Sequence, residues 1–114
     1  MNKKVPIGRV NLMPDVEEKM KADKKFQTFV QFSLGRYVRA DWGNMSPDDK
    51  AANDEALKNH GDISAIYRRS LPDGTKERIR IETGIADHMT VISFAGTKKE
   101  LPENTEKEKE NGES

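Results

Sequence analysis

The sequence predicts a small α+β domain, because its N-terminal half carries apolar residues at helical spacing and its C-terminal half at strand spacing. Phe26, Phe29, Val30, Ser33, Leu34, Tyr37 and Val38 recur at intervals of three and four, whereas Ile63, Ala65 and Tyr67, then Ile79 and Ile81, alternate. Leu71-Pro72-Asp73-Gly74 lies between the alternating runs and joins them as a hairpin. The expected architecture is a small antiparallel sheet of three to four strands, comprising this C-terminal hairpin and further strands, packed against two to three helices.

Taken in order, Val5, Ile7, Val10 and Leu12 with Gly8 and a terminating Pro14 read as a strand at a sheet edge, where proline is tolerated. Asp15 is placed to cap a short helix over Val16 to Lys21, and Ala22-Asp23-Lys24-Lys25 is either a polar break or the next helix's first turn. The Phe26 to Ala40 stripe predicts the main core helix, with Gly35 marking the close approach of another backbone. Ser46-Pro47-Asp48-Asp49 starts the next helix, with serine as cap, proline where its missing donor costs nothing, and two carboxylates at the positive end of the dipole. That helix runs to about Asn59, with Ala51, Ala52, Ala56 and Leu57 as its apolar face and Gly61 as a left-handed C-cap. Met89 to Phe94 supplies a last strand, and the first strand either pairs with it or caps an edge.

The hairpin register follows from the turn. Pro-Asp-Gly suits a type I turn closed by a left-handed bulge residue at Gly74, which sets Tyr67 opposite Ile79 and Ala65 opposite Ile81. A plain two-residue turn would set those apolar residues against Arg78 and Arg80, mixing the core and solvent faces. The bulged register places Arg68 directly opposite Arg78 with Arg80 next along the strand, and like charges so opposed are destabilising. Either a nearby carboxylate such as Glu82 neutralises this group, or it forms a surface for phosphate or an acidic protein face.

Composition narrows the function classes. With 20 basic and 20 acidic side chains the formal net charge is zero, so no overall field draws the molecule to nucleic acid. The absence of cysteine excludes disulfides and thiolate metal sites and suits a reducing cytosol. No apolar run of signal-peptide or membrane-span length occurs, so a cytoplasmic protein without membrane contact is expected. Residues 1–97 are expected to form the single domain and 98–114, one leucine among charges, a disordered tail.

Catalytic patterns are weak. No serine sits in a nucleophile-elbow setting, and neither phosphate-loop nor dinucleotide glycines occur, which points to a non-enzyme without a cofactor. His60 with Asp62 and Asp87 with His88 match no recognised zinc spacing, so no metal is assigned. The sole tryptophan, in Asp41-Trp42-Gly43, either plugs the junction of helices and sheet or is exposed as a recognition anchor.

Several motifs together carry a resemblance: Ile7-Gly8-Arg9-Val10, Gly35-Arg36-Tyr37-Val38, Asp41-Trp42-Gly43, Asp49 and Asn53, Ser64-Ala65, Tyr67 and Asp73-Gly74-Thr75-Lys76. In these the chain, over about residues 6 to 94, resembles a family of small plasmid-related proteins of bacterial mobile genetic elements. It departs from them at Arg78 and Arg80, where they are more apolar or aromatic, and at Gly84-Ile85-Ala86-Asp87-His88, where they often show Glu-Ala-Asp-Arg. The resemblance implies a small protein that blocks a host defence system, such as an anti-CRISPR protein acting on an effector nuclease. The contact residues expected on this chain are Arg68, Arg78 and Arg80, with Arg36 and Arg39 as further candidates. The alternative is a nucleic-acid-binding accessory factor of plasmid maintenance or transfer using the same arginines.

Overall fold

In the computed structural model, which describes residues 4–95, one four-stranded sheet carries three helices. In chain order the elements are β1 (Arg9–Leu12), α1 (Pro14–Ala22), α2 (Lys24–Val38), α3 (Pro47–Asn59), β2 (Asp62–Ser70), β3 (Lys76–Gly84) and β4 (Met89–Phe94), with one turn of 3-10 helix (Ile85–Asp87) before β4. The expected charged tail at 98–114 lies outside the described residues.

The helix boundaries follow from their caps. Pro14 is the first residue of α1, and Asp15 is therefore not its cap: its Oδ1 accepts the neighbouring Val16 N–H at 2.8 Å from within the first turn. Asp23 serves both helices at the α1–α2 junction. Its N–H donates to the Lys19 carbonyl at 2.8 Å, while its carboxylate accepts the N–H groups of Lys25 and Phe26 at 3.0 and 3.2 Å. Those amides, the Phe26 N–H foremost, hold the Asp23 carboxyl below its usual range. Ser46 caps α3 as expected, accepting the Asp49 N–H at 3.1 Å.

Three local expectations are corrected. The left-handed residue ending α3 is His60 (φ 58°), one position before Gly61, which instead donates its N–H to the Ala56 carbonyl at 2.8 Å. Ala51 and Ala52 face solvent, because the α3 stripe turned toward β2 is Asn53, Ala56 and Leu57. Nothing approaches Gly35 closely; the nearest atom to a Cβ built there is Arg39 Nη1 at 3.8 Å.

The strand order is β1-β4-β3-β2, and β1 runs parallel to β4, so the sheet is mixed and not wholly antiparallel. β2 and β3 adopt the bulged register, with Tyr67 opposite Ile79, Ala65 opposite Ile81 and Arg68 opposite Arg78. Gly74 takes a φ of +88°, and the loop closes through Leu71 N–H to Thr75 O at 2.8 Å and Gly74 N–H to Leu71 O at 2.9 Å.

One sheet face meets the helices. Phe26, Val30, Ser33 and Tyr37 of α2 are buried over Ile63, Tyr67, Ile79, Ile81 and Ile92. A chain of hydroxyls crosses this core. Tyr37 donates to Thr83 at 2.7 Å, and Thr90 donates to the Ile7 carbonyl at 2.7 Å, so the 2.6 Å contact between the threonines has Thr83 as donor. The N-terminal segment is thereby tied to β4, β3 and α2, and each of these three hydroxyls has a partner. No helix among the described residues is long and apolar enough to cross a membrane.

Candidate partner-binding face

The sheet's other face carries no helix among the described residues, and the alternation of the strands decides what stands on it. Even-numbered residues of β2 and β3 point there. Arg68 lies opposite Arg78, Ile66 opposite Arg80 with Ser93 beyond, and Ser64 opposite Glu82 with Val91 beyond. Lys76 ends the file and donates to Ser70 Oγ at 2.8 Å. Arg68 is exposed and Arg80 half-buried, and neither has an ion-pair partner among the described residues. The face is therefore polarised. Cations gather toward the hairpin turn, and the far end holds Asp62, Glu82 and Asp87 around an open depression of about 570 Å³.

The structure brings Arg68, Arg78 and Arg80 together and places Arg36, on α2, and Arg39, the residue just past its end, elsewhere across the sheet. Arg36 binds Asp41 through two bonds of 2.9 and 3.0 Å, and its guanidinium lies 5.3 Å from the Tyr67 ring centroid. That pairing raises the Arg36 pKa and lowers that of Asp41. Arg36 holds the end of α2 against β2, and Arg39 is an exposed neighbour.

Asp41-Trp42-Gly43 is a structural clasp. Trp42 is 3% exposed, packs edge-on against Tyr37 at 5.7 Å and donates from Nε1 to Asp54 Oδ1 at 3.0 Å, which settles it as a core plug. The Asp41 carbonyl accepts the Tyr67 hydroxyl at 2.6 Å. Gly43 has a φ of +74°, and a Cβ there would stand 2.6 Å from the Tyr67 ring and 2.8 Å from the Ile66 carbonyl, so no other residue fits. Burial raises both tyrosine pKa values, that of Tyr37 to about 12.

Sequence reasoning missed two groups. Asn53 places its side-chain amide on the edge of β2, donating to the Ser64 carbonyl at 2.8 Å and accepting the Ser64 N–H at 3.4 Å. Beneath the helices, Glu77 is 1% exposed and paired with Arg69 at 2.7 Å, with Lys19 at 3.6 Å. The Arg69 guanidinium lies 5.5 and 5.4 Å from the Phe26 and Phe29 ring centroids. The bulged register already sets Arg69 opposite Glu77, and that cross-strand opposite-charge pair was the available signal.

His60 and His88 are both exposed residues in left-handed turns (φ 58° and 56°), and no group of three or more metal-ligating side chains occurs among the described residues. Compared with known proteins, the chain matches no family model, and neither a curated protein nor a solved structure shows significant similarity to it.

Proposed function

We propose that this chain is a non-catalytic binding protein that inhibits a bacterial defence system, with a CRISPR effector nuclease as its target and the open sheet face as its contact. One observation carries the binding role: Arg68 and Arg78 stand directly opposed on a face that no helix among the described residues covers, with Arg80 beside them. Arg68 and Arg80 have no ion-pair partner among the described residues, and the positive charge they hold beside Arg78 suits an anionic group shared between them. The defence target rests on the resemblance of the sequence to plasmid-related proteins.

The test is plasmid interference in cells with an active CRISPR effector. Expression of the chain is expected to rescue transformation by a targeted plasmid, and the Arg68→Glu/Arg80→Glu variant to lose that rescue while its thermal midpoint is unchanged. Retained rescue by the charge-reversed protein would remove the face from the account, and absence of rescue across effector types would remove the target.

A second reading has its own observation. Lys76, Arg78 and Arg80 follow at every second position of β3, a file of cations about 7 Å apart that suits successive phosphates. On this reading the chain binds nucleic acid as a plasmid accessory factor, and its affinity for an oligonucleotide falls steeply with salt. Binding that is absent or insensitive to salt excludes it.

A further inference from the structure

The two edges of the sheet are treated differently. At the β2 edge, the outward groups of Ser64 are taken by the Asn53 amide, and the Ile66 carbonyl accepts the Asn44 N–H at 3.1 Å. At the other edge, Arg9 and Met13 donate their N–H groups to His88 and Ile92 across the β1–β4 ladder. Backbone groups alternate along a strand, so those of Val10 and Leu12 point away from the sheet. Among the described residues no strand lies beyond β1 and none bonds to that edge. An uncovered row of donors and acceptors is a template for another strand.

We propose that β1 pairs antiparallel with β1 of a second copy of this chain, joining two four-stranded sheets into one continuous sheet about a twofold axis through Asn11. The register follows from the residues available. Gly8, at a φ of +61°, and Pro14, the start of α1, bound the strand, so pairing Val10 with Leu12 of the second copy uses every outward group. Val10 and Leu12 are half-buried on the helix-covered face, and the pairing continues that apolar layer across the axis. On the open face Arg9 meets Met13 of the second copy, so no like charges are opposed. Of the three exposed large apolar side chains among the described residues, Met13 (43%) stands at the end of this edge and Met89 (39%) lies one strand in, as the ladder partner of Arg9. The axis lies away from Arg68, Arg78 and Arg80, so the dimer displays that cluster twice on one side.

Asn11 provides the test, because it is exposed in the monomer and faces its own copy across the axis as a non-hydrogen-bonded pair. The native chain lacks cysteine, so Asn11→Cys introduces a single thiol. Its Cα partner would lie at about 4.5 Å, within disulfide reach. The wild-type protein is expected to sediment at twice the chain mass. The Asn11→Lys variant is expected to sediment as a monomer with unchanged circular dichroism and a thermal midpoint that no longer depends on protein concentration, and Asn11→Cys to cross-link under mild oxidation far faster than Glu18→Cys on exposed α1. A monomeric wild type, a dimer that survives Asn11→Lys, or cross-linking no faster than the Glu18→Cys control would each overturn the proposal.

Discussion

Arg68 and Arg69 are neighbours of identical chemistry, and the pleat of β2 sends them into opposite environments. Arg69 turns under the helices, where it pairs with Glu77 at 2.7 Å and lies against two phenylalanine rings. Arg68 turns to the open face and stands opposite a second arginine. The covered face neutralises Arg69 within the chain, whereas Arg68 has no ion-pair partner among the described residues. Charge at the covered face therefore contributes to folding, and we propose that charge at the open face serves recognition.

The largest effects are expected where the covered face is broken. Trp42→Ala removes the plug between α2, α3 and β2 and should cost about 3 to 5 kcal/mol, the range for truncating a buried aromatic. Denaturant unfolding measures this, and a loss below the range would place Trp42 outside the cooperative core.

Arg69→Ala leaves Glu77 buried with Lys19 as its remaining cation, and should cost about 3 kcal/mol. Arg68→Ala, one residue away, should change stability by no more than about 0.5 kcal/mol. Equal losses from the two substitutions would erase the distinction between the faces.

Tyrosine ionisation should also act on the covered face alone, since Tyr37 and Tyr67 are the only tyrosines and both are buried there. The folded pKa of Tyr37 is raised from 10.0 to about 12, so the folded state holds its proton more tightly than the unfolded chain. The stability this contributes is fully present below pH 10.0 and is lost as pH rises toward about 12. Tyrosinate absorbance should therefore appear late and together with unfolding. Early titration of both phenols in folded protein would contradict their burial.

The smallest gain touches neither face. His60→Gly relieves an exposed left-handed residue at the end of α3 and should stabilise by about 0.5 to 1 kcal/mol, read by denaturant unfolding. Combined with charge reversal on the open face, it separates loss of binding from loss of fold.

Much of the candidate site is legible in the sequence, because Pro-Asp-Gly dictates a bulge and the bulge dictates which residues share a face. Arg68, Arg78 and Arg80 follow from that step alone. The fate of Arg36 does not, since its partner Asp41 acquires its position only when α2 ends and the chain turns toward β2. Gly35 misled for a related reason: a helical glycine signals an approach, but here the helix turns that position away from the sheet. The role of Asn53 was hidden because a polar residue on a helix acquires a partner only when a strand edge is brought beside it.

By itself the sequence determined the helices, the hairpin and its register, since caps, turn chemistry and side-chain period act over a few residues. Only the tertiary structure decided that β1 lies parallel to β4, that Glu77 is buried, and that one sheet edge is engaged at Ser64 and Ile66 by Gly43, Asn44 and Asn53 while no described residue bonds to the other. Those outcomes depend on contacts between segments far apart in the chain, where local preference is nearly neutral and the packing of layers sets the energy.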